Sequence, residues 1–113
     1  MSQITTHVLD TTIGEPAQNI SIVLDQLTNI EEWKQLGAGK TNADGRLPNL
    51  LNAEVKLKPG IYRLVFDTAS YFKNQGTKGF YPSVTITFEI ADNSHYHVPL
   101  LLNPYGYSTY RGS

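Results

Sequence analysis

The chain contains no cysteine. A disulfide framework, a thiolate zinc centre and a cysteine nucleophile are therefore all excluded. It also lacks net charge: nine Lys and Arg stand against ten Asp and Glu, for a formal charge of −1. No basic field exists to attract nucleic acid. Long apolar runs are missing too. The longest, Val98 to Leu102, contains Pro99 and falls far short of the ~20 residues that cross a bilayer. The opening stretch, MSQITTHVLD, shows neither a basic region nor an apolar segment of signal-peptide length, so the expected compartment is the cytoplasm. One glycosylation triplet, Asn19-Ile20-Ser21, carries no weight without a secretory route.

Helical periodicity is scarce as well, and what is present instead is strand. Val84, Ile86, Phe88 and Ile90 alternate with Ser83, Thr85, Thr87 and Glu89, the pattern of a half-buried strand. Gln3 to Leu9 reads as a first strand, with Ile4, Thr6 and Val8 on one face and Thr5 and His7 on the other. Thr11 to Ala17 is a loop. Asn19 to Leu27 follows with Ile20, Ile22 and Leu24 inward, then a weaker strand at Glu31 to Leu36 carrying Trp33. Lys40 to Gly45 ends in Asp-Gly, a strong turn signal, and Arg46 to Pro48 can form a short strand. Ile61 to Asp67 places Tyr62, Leu64 and Phe66 on one side. Thr68 to Asn74 fits a two-turn helix capped by Asp67 or Thr68. Ser83 to Ile90 and His95 to Leu102 form a pair joined by a loop at Ala91 to Ser94, and Tyr105 to Tyr110 is a last short strand. With no linker or repeat in 113 residues, a single domain spanning 1–113 is expected, all-β, a sandwich or small barrel with one short helix.

Two apparent motifs fail. Gly37-Ala38-Gly39-Lys40-Thr41 imitates a phosphate loop, but Lys34 stands where the first glycine belongs and a turn follows instead of a helix. Asn42, Asp44 and Gly45 imitate a calcium loop, yet Lys40 and Leu51 occupy its first and last ligand positions.

The histidines resist dismissal. His95 and His97 are two apart on a strand and project from one face. With His7 they could offer three imidazoles to a zinc ion with an open position for water; the commoner fate of such a pair is a hydrogen-bonded or exposed strand surface. Arg46 closes the Asp44-Gly45 turn, either as a solvated charge or as a planar donor fork aimed at a carbonyl or anion. The tail, Tyr110-Arg111-Gly112-Ser113, is polar and aromatic with no evident structural purpose. It is either frayed, as chain ends commonly are, or folded back into a site.

Several of these stretches together resemble one family. THVLD at Thr6 to Asp10, Gly14-x-Pro16-Ala17, TNADGR at Thr41 to Arg46, HYHVPLLL from His95 and YSTYRGS ending at Ser113 are similar, in order and over essentially the whole chain, to the 5-hydroxyisourate hydrolases. This is the transthyretin-related enzyme family of urate degradation. The Tyr-Arg-Gly-Ser end is the element that separates those hydrolases from hormone-carrying transthyretins. Asp67-Thr68 with Tyr71-Phe72 also matches. Tyr81-Pro82-Ser83 departs from the phenylalanine and acidic residue of many members.

The resemblance implies a two-sheet, eight-stranded transthyretin-like β-sandwich. It implies a homotetramer with sites in a channel at the dimer–dimer interface, no cofactor, no metal, and no nucleic-acid or membrane partner. The implied reaction opens 5-hydroxyisourate to 2-oxo-4-hydroxy-4-carboxy-5-ureidoimidazoline. Carried over by position, His7, Arg46, His97 and Ser113 are the catalytic candidates, with His7, Arg46, Tyr110 and Arg111 binding substrate. Of the histidines, His7 is the first choice for general base. Two alternatives stand beside this reading: a small-molecule carrier of the transthyretin type, and a zinc hydrolase using His7, His95 and His97.

Overall fold

The computed structural model describes residues 2–113. Alternation along the chain becomes two facing sheets. One is fully antiparallel and ordered β5-β4-β6-β7, from Ser21–Asn29 (β4), Glu32–Lys40 (β5), Gly60–Phe66 (β6) and Val84–Ile90 (β7). The other is ordered β10-β9-β2-β3, from Val8–Asp10 (β2), Glu15–Pro16 (β3), Leu100–Asn103 (β9) and Gly106–Thr109 (β10). Ile4–Thr5 (β1) and Tyr96–His97 (β8) form a separate parallel pair. Taking β1 with β2 and β8 with β9 as interrupted single strands, the ten segments make the expected eight-stranded sandwich.

The inward faces follow the alternation. Ile20, Ile22 and Leu24 meet Tyr62, Leu64 and Phe66, all fully buried, across from Val8, Leu100 and Leu102 of the second sheet. Each such side chain contributes roughly 1.5–3 kcal/mol by leaving water. The helix α1 (Thr68–Asn74) lies where its cap predicts, with the Asp67 carboxylate accepting from the Ser70 amide at 3.2 Å.

Several elements differ from the sequence reading, among them a short strand at Glu15–Pro16 within the expected Thr11–Ala17 loop. The first strand is broken at Thr6-His7, where the Thr6 hydroxyl turns inward and donates to the Val98 carbonyl at 2.6 Å. The His95–Leu102 strand is broken at Val98-Pro99, since proline has no amide to give a ladder. β5 runs on to Lys40, through the glycines of the false phosphate loop. Those glycines serve packing: a β-carbon on Gly39 would lie 2.8 Å from the Leu47 side chain, and one on Gly37 would run into the Leu50 carbonyl. The connection after Arg46 therefore lies flat across β5. Arg46 to Pro48 forms no strand, only a single bridge from Arg46 to His7.

The connection and the hairpin loop at 91–94 are held by one buried amide. Gln3 accepts from the Leu57 amide at 2.7 Å and donates to the carbonyls of Asp92 and Ser94 at 3.3 and 3.2 Å. Among the described residues, no helix is long and apolar enough to cross a membrane.

Candidate active site

Four separate segments converge at the end of the sandwich where β1 meets β8. The parallel register sets Thr5 opposite His97. The antiparallel bridge between His7 and Arg46 brings the Asp-Gly turn alongside. That turn has little freedom. Gly45 sits at φ +73°, a conformation that favours glycine, and its carbonyl accepts from the Val8 amide at 2.8 Å. Asn42 closes the turn by accepting the Arg46 amide at 3.0 Å through its side chain. Arg46 is exposed, and among the described residues its guanidinium has no ion-pair partner.

The tail folds back rather than fraying. The Gly112 amide donates to the His97 carbonyl at 2.8 Å, as part of a bridge between the two residues. Only glycine permits this approach, because a β-carbon on Gly112 would lie 2.5 Å from His97 Cδ2. One step earlier, the Arg111 guanidinium lies over the Tyr96 ring at 4.3 Å. The Tyr96 hydroxyl in turn donates to Asp92 at 3.0 Å, so the hairpin loop anchors the tail. Thr109 adds a hydrogen bond of 2.7 Å to the Pro99 carbonyl.

The result is a cavity of about 260 Å³ lined by Thr5, Thr6, Arg46, Pro48, His95, His97 and Ser113. His97 is half-buried within it. Its burial, and then the positive charge of Arg46 with smaller contributions from His95 and His7, hold its imidazole below the ordinary histidine pKa. A neutral imidazole at neutral pH, beside a fixed cation, can take a proton and can have the resulting oxyanion stabilised nearby.

The sequence-derived candidates do not all meet in one place. Arg46, His97 and Ser113 share the cavity, with His7 bridged to Arg46 at its margin. Tyr110 and Arg111 instead line a second cavity of about 270 Å³ with Tyr96, Val98 and β7. Among the described residues, no three His, Asp or Glu groups gather closely enough to hold a metal, so the three-imidazole zinc set does not form within one chain. Sequence reasoning missed Thr5, whose hydroxyl lies 2.7 Å from His95 Nε2 and 2.8 Å from His97 Nδ1. The only signal was its place on the outward face with His7; its partners lie some ninety residues away.

The HIUase/Transthyretin family model matches residues 4–112. The 5-hydroxyisourate hydrolase of Mus musculus is 47% identical over 114 residues, covering 99% of this chain and 96% of that protein. Among solved structures, the Klebsiella pneumoniae 5-hydroxyisourate hydrolase superposes with TM-score 0.84 at 33% identity, over 97% of this chain and 92% of that one. A sea bream transthyretin in complex with thyroxine superposes with TM-score 0.91 at 31% identity, over 98% and 95%. A hydrolase and a thyroxine binder thus share this backbone, and the side chains in the cavity must distinguish them.

Proposed function

The chain belongs to the HIUase/Transthyretin family, and from that premise we propose that it hydrolyses 5-hydroxyisourate, a step in urate degradation. The observation that carries this reading is the shared cavity: a half-buried histidine and an arginine with no ion-pair partner among the described residues line one small space. A carrier needs neither group.

In the proposed reaction His97 removes a proton from water as the oxygen attacks the ring carbonyl carbon. Arg46 holds the carbonyl oxygen and stabilises the oxyanion as it forms. The proton is then delivered to the leaving ring nitrogen, and the carbon–nitrogen bond breaks. Support for giving the base role to His97, ahead of His7, comes from its place in the cavity lining and its lowered pKa. His7 would hold the Arg46 turn and face substrate from the margin, and the Ser113 hydroxyl would bind a polar edge of the ring.

The same reading includes a homotetramer in which neighbouring chains complete the site. Two features support it. Among the described residues the outer edge of β7 has no partner strand, and exposed strand edges are normally covered. Phe80, Tyr81, Tyr105 and Tyr107 are large and exposed, with Tyr81 packed edge-on against Phe80 and Tyr107; patches of this kind mark interfaces. Tyr110 and Arg111, which line a different cavity from His97, would then contribute to a neighbour's site. Freshly generated 5-hydroxyisourate, followed by its ultraviolet decay, should disappear much faster with the protein than without it. An unchanged decay would overturn the hydrolase reading. Sedimentation equilibrium should give about four times the 12.6 kDa chain mass, and a monomer would remove the shared site.

A further inference from the structure

We propose that Thr5 is a positioning residue that sets the proton arrangement of His97 and links it to His95 as a relay. The inference rests on the hydrolase reading above for its consequence in turnover, but the hydrogen-bond geometry stands independently. The Thr5 hydroxyl oxygen lies between two imidazole nitrogens, His95 Nε2 at 2.7 Å and His97 Nδ1 at 2.8 Å. The two rings are nearly parallel, with centroids 6.3 Å apart and planes 24° from each other.

A hydroxyl carries one proton and two lone pairs, and a neutral imidazole offers one donor and one acceptor. Satisfying all three groups leaves two arrangements. In the first, His97 Nδ1–H donates to Thr5 and Thr5 donates to His95 Nε2. His97 Nε2 then carries a lone pair, the form a base requires. In the second, both hydrogen bonds are reversed and His97 carries its proton on Nε2, the form an acid requires. The Cδ2 edge of the ring is closed by Gly112 and the Nδ1 edge by Thr5, so Nε2 is the nitrogen left for the substrate side.

Passage between the two arrangements conserves every atom. His97 Nε2 takes a proton from the attacking water, its Nδ1 proton moves to Thr5 Oγ1, and the Thr5 proton moves to His95 Nε2. His97 is now neutral with its proton on Nε2, and His95, exposed to solvent, carries the charge where water can hydrate it. When His97 gives the Nε2 proton to the leaving nitrogen, the reverse movement restores the first arrangement. The same imidazole thereby serves as base and then as acid. The charge then rests on exposed His95 and not on half-buried His97, which Arg46, His95 and His7 all face.

Three variants test this. Thr5→Val keeps the branched shape without the hydroxyl, Thr5→Ser keeps the hydroxyl, and His95→Leu removes the far end of the relay at an exposed position. Thr5→Val and His95→Leu should each lower kcat about 10- to 100-fold with KM within about twofold, a share of what a positioned base contributes. Thr5→Ser should recover most of the rate. Imidazole nitrogen NMR on the full chain should find the His97 proton on Nδ1 in the parent protein and divided between both nitrogens in Thr5→Val. Normal kcat in folded Thr5→Val or His95→Leu, or a parent His97 protonated on Nε2, would overturn the proposal. A parent protein without hydrolase activity would instead overturn the function above, while the NMR result would still judge the Thr5 arrangement.

Discussion

Replacing His97 with asparagine is expected to lower kcat by about 10²–10⁴-fold, the contribution typical of a positioned general base. Asparagine suits the test because its amide nitrogen takes the place of Nδ1 and can still donate to Thr5, while the nitrogen at the Nε2 position is lost. The tail should stay docked, since its bond to residue 97 runs from the Gly112 amide to a backbone carbonyl. Thermal unfolding should therefore move little. Initial rates of 5-hydroxyisourate decay, with the melting curve as control, decide the matter. A near-normal rate removes His97 from the mechanism, and a larger loss from His7→Asn than from His97→Asn returns the base role to His7.

Arg46→Met should be nearly as costly and should leave a second signature. The loss of a donor aimed at a developing oxyanion is worth about 10²–10³ in kcat. The backbone turn does not depend on the guanidinium, because Gly45 and the Asn42 side chain hold it, so the fold should survive. The pH profile supplies the signature. Burial, then Arg46, lowers the His97 pKa, so removing the cation makes protonation easier and raises that pKa toward the ordinary value of about 6.5. A base works only when neutral. The acid limb of kcat/KM should accordingly move to higher pH in Arg46→Met, and the relative loss should grow as pH falls. A shift in the opposite direction would mean that Arg46 does not act on the titrating base.

Much of this architecture was legible because local rules set it. A strand's two-residue period tells which side chains share a face, and Ile20, Ile22 and Leu24 turned inward as the pattern required. Asp67 capped its helix because a carboxylate at that position satisfies an otherwise free amide. Asp44-Gly45 made its turn because glycine accepts a positive φ. The absence of cysteine settled what chemistry the chain could not perform. His7, Arg46, His97 and the tail stood out from the residues themselves, but their catalytic roles came only through resemblance; their spacing along the chain shows no site.

Their meeting belongs to the tertiary structure alone. Periodicity assigns a face but not a neighbour, and pairing partners are chosen by how the two sheets pack as a whole. The parallel contact of Ile4 with Tyr96 is such a choice, and from it follow Thr5 beside His97 and the Thr5 hydroxyl between two imidazoles. The bridge from His7 to Arg46 joins residues that no local pattern connects. Tyr110 and Arg111 belong to the same short tail as Ser113, yet they face another cavity, because Arg111 is drawn onto the Tyr96 ring while Gly112 packs against His97. Local pattern showed most of the strands, their buried faces and the chemical groups available, while missing the short strand at Glu15–Pro16 and expecting one at Arg46 to Pro48 that does not form. Which of those groups share a cavity was decided only when the long-range pairings closed, since side-chain period carries no information about distance through space.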